Sequence, residues 1–356
     1  MSRRLRAQPL RTRPTVTVVI PCYNYGHYLS TAVKSVLDQP GVDVEAIVID
    51  DASTDASAEV VRGLAAADPR IRPILHRRNL GHITTYNEGL EQANSDYVVL
   101  LSADDALTPG SLARATALLE AHPSVGLVYG YYEAFVDDPP AVTEEVRNWT
   151  IWSGQEWIER RCRAGRGCIA SPEVVMRTSV QHAIGGYEVS LPHSGDFEMW
   201  LRAAAVSDIA RVNGPPQAYY RVHSNSMMRT AYADYVVDLE QRLLAFENAL
   251  VGPRASVSNG GSLFATATKS LAASALEVAR SAFDHGRSSD EPVEAYMAFA
   301  ARVWPAVTKT RRWRALARCA AADDGRVHAG LGAAARRVGE DLRSRVRWRR
   351  WRWSGV

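Results

Sequence analysis

Between residues 15 and 129, short continuous apolar runs alternate with segments whose apolar residues recur at helical spacing. That alternation leaves few folds open. Residues 15–20 are rich in β-branched side chains and end at Pro21. Residues 28–38 then place Leu29, Ala32, Val33, Val36 and Leu37 along one helical stripe. Residues 44–49, apolar apart from Glu45, stop at Asp50 and Asp51, the pattern of a strand buried on both faces. Further strands are predicted over 71–75, 97–101 and 125–129. Helices are predicted over 56–67, capped by Asp55, over 83–93, and from Pro109-Gly110-Ser111 onward. This order predicts an α/β fold with a mostly parallel sheet and helices on both faces. In such sheets ligands bind beyond the carboxyl ends of the strands.

Three of those ends are polar. The first strand leaves through Pro21-Cys22-Tyr23-Asn24-Tyr25 and not through a glycine-rich dinucleotide fingerprint. An aromatic ring there can stack a nucleobase, and ordinary packing is the competing use of one tyrosine. The second exit is Asp50-Asp51 followed by Ala52-Ser53-Thr54-Asp55. A carboxylate at this place can accept the ring N3–H of uracil or thymine, a proton that cytosine lacks, although guanine also offers a donor. The third exit is Ser102-Ala103-Asp104-Asp105. Paired carboxylates after an apolar strand suit a hard divalent cation bridging two phosphates. A solvated turn with a helix cap explains one such acid and not all three exits, so together they predict a nucleoside diphosphate site.

At this point the stretches IPCYNY, VIDDAST, NLGHITTYNEGLEQANSDYVVLLSADD, AIGGYE and GDFEMWLR resemble, in this order, the family 2 glycosyltransferases of the GT-A fold. The resemblance covers about residues 15–225. It implies inverting transfer of a sugar from a nucleoside diphosphate carrier to a nucleophilic acceptor, with Mn2+ or Mg2+ as cofactor. By this resemblance Tyr23 and Asp51 hold the base with Pro21 beside them, Asp104 contacts the ribose and Asp105 binds the metal. Asn79, Gly81 and Asn87 correspond to the stretch bordering the donor. Asp196 stands at the position of the catalytic base. His223, in Tyr220-Arg221-Val222-His223, corresponds to a histidine that reaches the metal or the diphosphate, and a purely structural histidine is its competing reading. Two positions depart from the pattern: Ser102, where many members carry a third acid, and Gly195, where a glutamate commonly precedes the catalytic aspartate. Glu198, two residues from Asp196, points about 200° away on a helix and cannot easily share its site. Trp149, Trp152 and Trp157 are read either as an acceptor platform or as core.

The chain has 356 residues, enough to bury a large core without disulfides. Its four cysteines are scattered, and the five residues between Cys162 and Cys168 match no usual zinc or redox spacing, so reduced thiols in a cytoplasmic protein are expected. The domain reading is a basic arm over 1–13, a transferase domain over 14–225, a helical region over 226–341 and an Arg/Trp-rich tail over 342–356. Val236, Leu239, Leu243, Phe246 and Leu250 trace a seam in the helical region, read as packing within its own domain rather than as a dimer coil.

Net charge is +3, but residues 1–13 hold five arginines and residues 342–356 six, with no acid in either, leaving a body of −8. Such a body does not suit nucleic acid. The tail interleaves its arginines with Trp348, Trp351 and Trp353, which predicts contact with an anionic membrane surface, with RNA or plain solvent as alternatives. No leader peptide and no spanning segment are read, so a soluble or peripheral cytoplasmic protein is expected, the inner face of the plasma membrane being its peripheral place. The predicted donor is a UDP- or dTDP-sugar. The acceptor is a hydroxyl, on a lipid-linked glycan or a small molecule, in cell-envelope glycan or glycoconjugate synthesis. Sugar identity, acceptor and homo-oligomer formation stay open. A nucleotidyltransferase shares the sheet and paired acids but needs a basic glycine-rich loop that is absent here. A non-catalytic binding module on a degenerate transferase fold is the other alternative.

Overall fold

The computed structural model describes residues 2–223, 234–288 and 290–321, with isolated positions at 346, 349 and 351. Among these, 2–158 with 168–223 form one compact unit, and 159–167 with 234–321 form another.

In the first unit the expected alternation is present. β1 (Arg3–Leu5) and β2 (Thr15–Cys22) are followed by α1 (Gly26–Leu37), β3 (Asp43–Asp50), α2 (Ser57–Ala67), β4 (Ile71–Leu75) and α3 (His82–Glu91). Then come β5 (Tyr97–Leu100), β6 (Ala106–Leu107), α4 (Ser111–Ala121), β7 (Val125–Tyr129), β8 (Tyr132–Phe135) and β9 (Asn148–Trp152). α5 (Gly154–Ala164) runs on into the residues grouped with the second unit. β10 (Val175–Arg177), α6 (Thr178–Ile184), α7 (Gly195–Val206), β11 (Asp208–Asn213) and β12 (Ala218–Arg221) complete the first unit.

Nine strands make one sheet in the order β1-β9-β11-β7-β10-β5-β2-β3-β4. The half built from β5, β2, β3 and β4 is wholly parallel. β10 is antiparallel to both of its neighbours, β5 and β7, while β11 runs parallel to β7. Helices cover both faces because the strands are apolar on both. Val16, Val18 and Ile20 share a core with Leu29, Val33 and Val36 of α1 and Leu112 and Leu118 of α4. Val19 and Ile49 point the other way, where α3 lies so close that a Cβ on Gly89 would stand 2.2 Å from Val19 Cγ1.

The first residues differ from the expected arm. Arg3–Leu5 pairs antiparallel with Trp149–Ile151 and forms the edge of the sheet. Main-chain pairing needs no apolar side chains, so a strand fits within an arginine-rich stretch. Trp149, Trp152 and Trp157 are 1%, 1% and 0% exposed, which makes them core and removes them as a sugar-stacking surface. None of the four cysteines is in a disulfide.

The second unit is helical: α8 (Tyr235–Leu250), α9 (Gly260–Asp284), α10 (Val293–Val303) and α11 (Arg311–Ala321). Leu239, Phe246 and Leu250 of the seam are buried within it, alongside Leu271, Leu276 and Phe299. Among the described residues no helix is long and apolar enough to cross a membrane. The Arg/Trp tail over 342–356 lies, apart from those isolated positions, outside the described residues.

Candidate functional site

The exits of β2, β3 and β5 converge, as parallel strands with aligned ends must. β2 and β3 both leave through a left-handed residue, Asn24 at φ 59° and Ala52 at φ 55°. The two turns are tied together: the Asn24 amide N–H donates to Ser53 Oγ (2.9 Å), and Thr54 N–H donates to Asn24 Oδ1 (2.8 Å). Asp55 accepts from the Ser57 (2.9 Å) and Gly26 (3.3 Å) amides and so secures the starts of α2 and α1 together.

These exits open into a cleft of about 450 Å³, a size suited to a small-molecule ligand. Pro21, Tyr23, Asp51, Asn79, Gly81, Asp104 and Asp105 all line it. Tyr23 is 46% exposed, leaving a ring face free for stacking. Asp51 is buried, and its carboxylate is held from three sides: Oδ1 accepts from Leu80 N–H (2.7 Å) and His76 Nδ1 (2.7 Å), and Oδ2 accepts from Gly81 N–H (3.0 Å). Burial alone would raise its pKa, but the donors from His76, Leu80 and Gly81 outweigh burial and hold the carboxyl below its usual range. Asn79 braces the same loop by donating to the Asp51 carbonyl (3.1 Å).

Asp104 and Asp105 line the same cleft and meet the small sheet β6-β12-β8. Asp105 Oδ1 accepts the Arg221 N–H of β12 (2.9 Å), and Asp104 Oδ2 meets His223 Nε2 (2.9 Å). Arg221 also donates to the Asp104 carbonyl (3.0 Å) and is sandwiched between the Tyr28 and Phe135 rings, at 4.4 and 4.3 Å. Burial, reinforced by the neighbouring Asp104 charge, raises the Asp105 pKa well above the usual carboxylate range. A buried carboxyl beside a second acid and an imidazole fits a divalent cation, which would relieve that repulsion. Among the described residues no three such groups already stand at coordination spacing, so oxygens of water or of a ligand would complete the shell.

Three expected site residues, Asn87, Asp196 and His223, stand off the cleft wall, His223 meeting it through Asp104. Both ends of the Asn87 amide are bonded to the Tyr187 main chain, so it faces the segment between α6 and α7 rather than the cleft. Asp196, in the first turn of α7, accepts hydrogen bonds from Ser171 Oγ and from Tyr187 Oη (2.5 Å). Burial raises its pKa, and the two hydroxyl donors offset only part of that effect. The Tyr187 ring packs 5.5 Å from Tyr86, a residue of the cleft wall, which links Asp196 to the pocket. Glu198 is buried and paired with Arg202 through Nε and Nη2, both at 2.8 Å, and takes no part in the site.

Residues 17–171 match the model of glycosyl transferase family 2. The chain carries a family 2 glycosyltransferase domain. An uncharacterized glycosyltransferase from Haemophilus influenzae is 26% identical over 219 residues, 60% of this chain and 67% of that protein. Other curated relatives are matched over less of their length, 35% of one and 20% of another. The transferase fold is shared with a Pyrobaculum calidifontis mannosyltransferase in complex with GDP-Man and Mn2+ (TM-score 0.58, 19% identity, 98% of this chain and 86% of that one). It is shared equally with S. aureus TarS 1–349 in complex with UDP-GlcNAc (TM-score 0.58, 16% identity, 89% and 97%).

Several residues in contact with Asp51 and Asp196 escaped the sequence reading. His76 follows the last residue of β4 and is therefore a fourth strand exit, the signal that could have found it. Tyr187 lies within AIGGYE but carried no assigned role, and Ser171 stood in a stretch without periodicity.

Proposed function

We propose that this chain is an inverting glycosyltransferase that moves a sugar from a uridine or thymidine diphosphate carrier to a hydroxyl acceptor. The observation that carries the reading is one cleft lined together by Tyr23, Asp51, Asp104 and Asp105. Tyr23 stacks the base, Asp51 accepts its ring N–H, and Asp104 takes the ribose hydroxyls. Asp105, with His223 close by, would hold Mn2+ or Mg2+, which when bound neutralises charge on the departing diphosphate.

Asp196 takes the proton of the acceptor hydroxyl. The acceptor oxygen bonds to the anomeric carbon as the bond to the phosphate oxygen breaks, and that electron pair leaves with the nucleotide. Both carboxylate oxygens of Asp196 already accept one hydrogen bond, and each keeps a second lone pair for the proton. A pKa raised by burial makes this carboxylate a stronger base than a surface aspartate. The tail over 342–356, with six arginines, three tryptophans and no acid, supports a peripheral place on an anionic membrane, tested by liposome binding before and after deletion of residues 342–356.

The deciding experiment incubates purified protein with UDP-, dTDP- and GDP-sugars and Mn2+ or Mg2+, read by mass spectrometry. Metal-dependent release of UDP or dTDP is the expected result. A parallel incubation with nucleoside triphosphates and a sugar 1-phosphate tests the alternatives: pyrophosphate release there would assign a nucleotidyltransferase instead, and turnover in neither incubation would assign a binding module.

A further inference from the structure

Asp51, His76 and Glu88 come from three segments: the exit of β3, the exit of β4, and α3. The His76 main chain continues the sheet, its N–H donating to the Asp50 carbonyl (2.9 Å). Its side chain is only 7% exposed, and its two ring nitrogens face two different acids. Nδ1 stands 2.7 Å from Asp51 Oδ1, and Nε2 stands 2.7 Å from Glu88 Oε2. A neutral imidazole carries one N–H, so its other nitrogen would turn a lone pair onto a carboxylate oxygen. The imidazolium alone satisfies both contacts.

The same contacts use up most of Asp51. A carboxylate has about four acceptor positions. His76 and Leu80 take both on Oδ1, and Gly81 takes one on Oδ2. One position on Oδ2 is left for a ligand in the cleft that Asp51 lines.

We propose that His76 is an imidazolium positioning residue of the base site: braced by Glu88, it fixes Asp51 so that its last acceptor position takes a nucleobase with a ring N–H, such as uracil, and rejects cytosine. This rests on the reading of Asp51 as the base-binding residue. Asp51 from the β3 exit and Glu88 from α3 are the charged groups that act on the ring. Burial disfavours its charged form, but the two carboxylates outweigh burial and raise its pKa.

The test uses the full chain and needs no acceptor. UDP and CDP binding are measured by calorimetry across pH for the wild type, Asp51→Asn, His76→Leu and Glu88→Gln. The wild type is expected to prefer UDP, and His76→Leu to lose about tenfold in UDP affinity with CDP unchanged, the scale of one hydrogen bond to a charged group. UDP affinity of the wild type falls as pH rises through the His76 pKa, and in Glu88→Gln that fall begins at lower pH because one of the two anions is gone. NMR of the ring nitrogens is expected to find both protonated at about pH 7, where an unperturbed histidine is mostly neutral. Unchanged UDP-over-CDP preference in Asp51→Asn would sink the base-site reading and this inference with it. If Asp51→Asn loses the preference while Glu88→Gln keeps the wild-type affinity and pH profile, or if the His76 ring is neutral at that pH, this inference alone is overturned. Glu88→Gln and the NMR measurement decide the matter even if His76→Leu does not fold.

Discussion

The carboxamide of Asn87 grips the main chain of Tyr187 at both ends, across 100 residues of sequence: Nδ2 donates to the carbonyl (2.9 Å), and Oδ1 accepts the N–H (2.6 Å). Gly186 makes this possible, since a Cβ there would stand 2.4 Å from Asn87 Oδ1. Arg202 holds the same turn from its other side by donating to the Ile184 and Gly186 carbonyls. A turn pinned from two directions places the Tyr187 hydroxyl on Asp196. Asn87→Ala is therefore expected to lower turnover about 10- to 100-fold by misplacing the base, with UDP affinity kept. Steady-state kinetics beside nucleotide calorimetry checks both halves of that statement.

Asp196→Asn preserves size and most hydrogen bonding but cannot take a proton. Donor binding should be normal and turnover lower by at least about 10²-fold. Because burial raises the Asp196 pKa, wild-type turnover should fall as pH drops through that raised value. Near-normal transfer by the Asn variant to a hydroxyl acceptor would move the proton to another group.

The strands of the parallel half and their polar exits were readable because both sheet faces are covered. That demand writes continuous apolar runs at 46–49 and 97–101 and gathers polarity toward the strand ends. Asn87 misled for the opposite reason. Its partner Tyr187 is distant in sequence, so its neighbours 86–88 carry no trace of the contact. β10, with three residues, and the small sheet behind Asp105, with two- to four-residue strands, are too short to show a period of two. The pairing of Arg3–Leu5 with β9 rests on main-chain bonds, to which a hydropathy pattern is blind.

Asp105→Asn keeps an acceptor for the Arg221 N–H while removing the charge. The gain in UDP affinity on adding Mn2+ should disappear, and affinity without metal should stay level or improve, as one of two neighbouring negative charges is gone. Calorimetry with and without Mn2+ reads both, and a persisting metal-linked gain would remove Asp105 from the cation site.

Gly89→Ala tests how tightly α3 packs on the sheet. The new Cβ would lie 2.2 Å from Val19 Cγ1 and 2.9 Å from Ile49 Cδ1, both inside the core where neighbours cannot swing away. Overpacking of this kind destabilises by about 1–3 kcal/mol. Urea unfolding should show a lower midpoint with an unchanged slope, whereas an unchanged midpoint would mean that α3 can shift without penalty.

The pairing of Asp51 with His76 also shapes stability against pH, and the two residues act at opposite ends. The folded Asp51 pKa is lowered, so its contribution is present above the unfolded value of about 3.9 and is lost as pH falls through the folded one. The folded His76 pKa is raised, so its contribution is fully present below the unfolded value of about 6.5 and is lost as pH rises through the folded one. Stability should therefore crest between these limits. Glu88→Gln takes away one of the two anions that raise the His76 pKa, so its alkaline flank should begin at lower pH while its acid flank, set by Asp51, moves less. Denaturant unfolding at a series of pH values measures both flanks, and identical alkaline flanks in the wild type and Glu88→Gln would show that His76 is not charged in the folded protein.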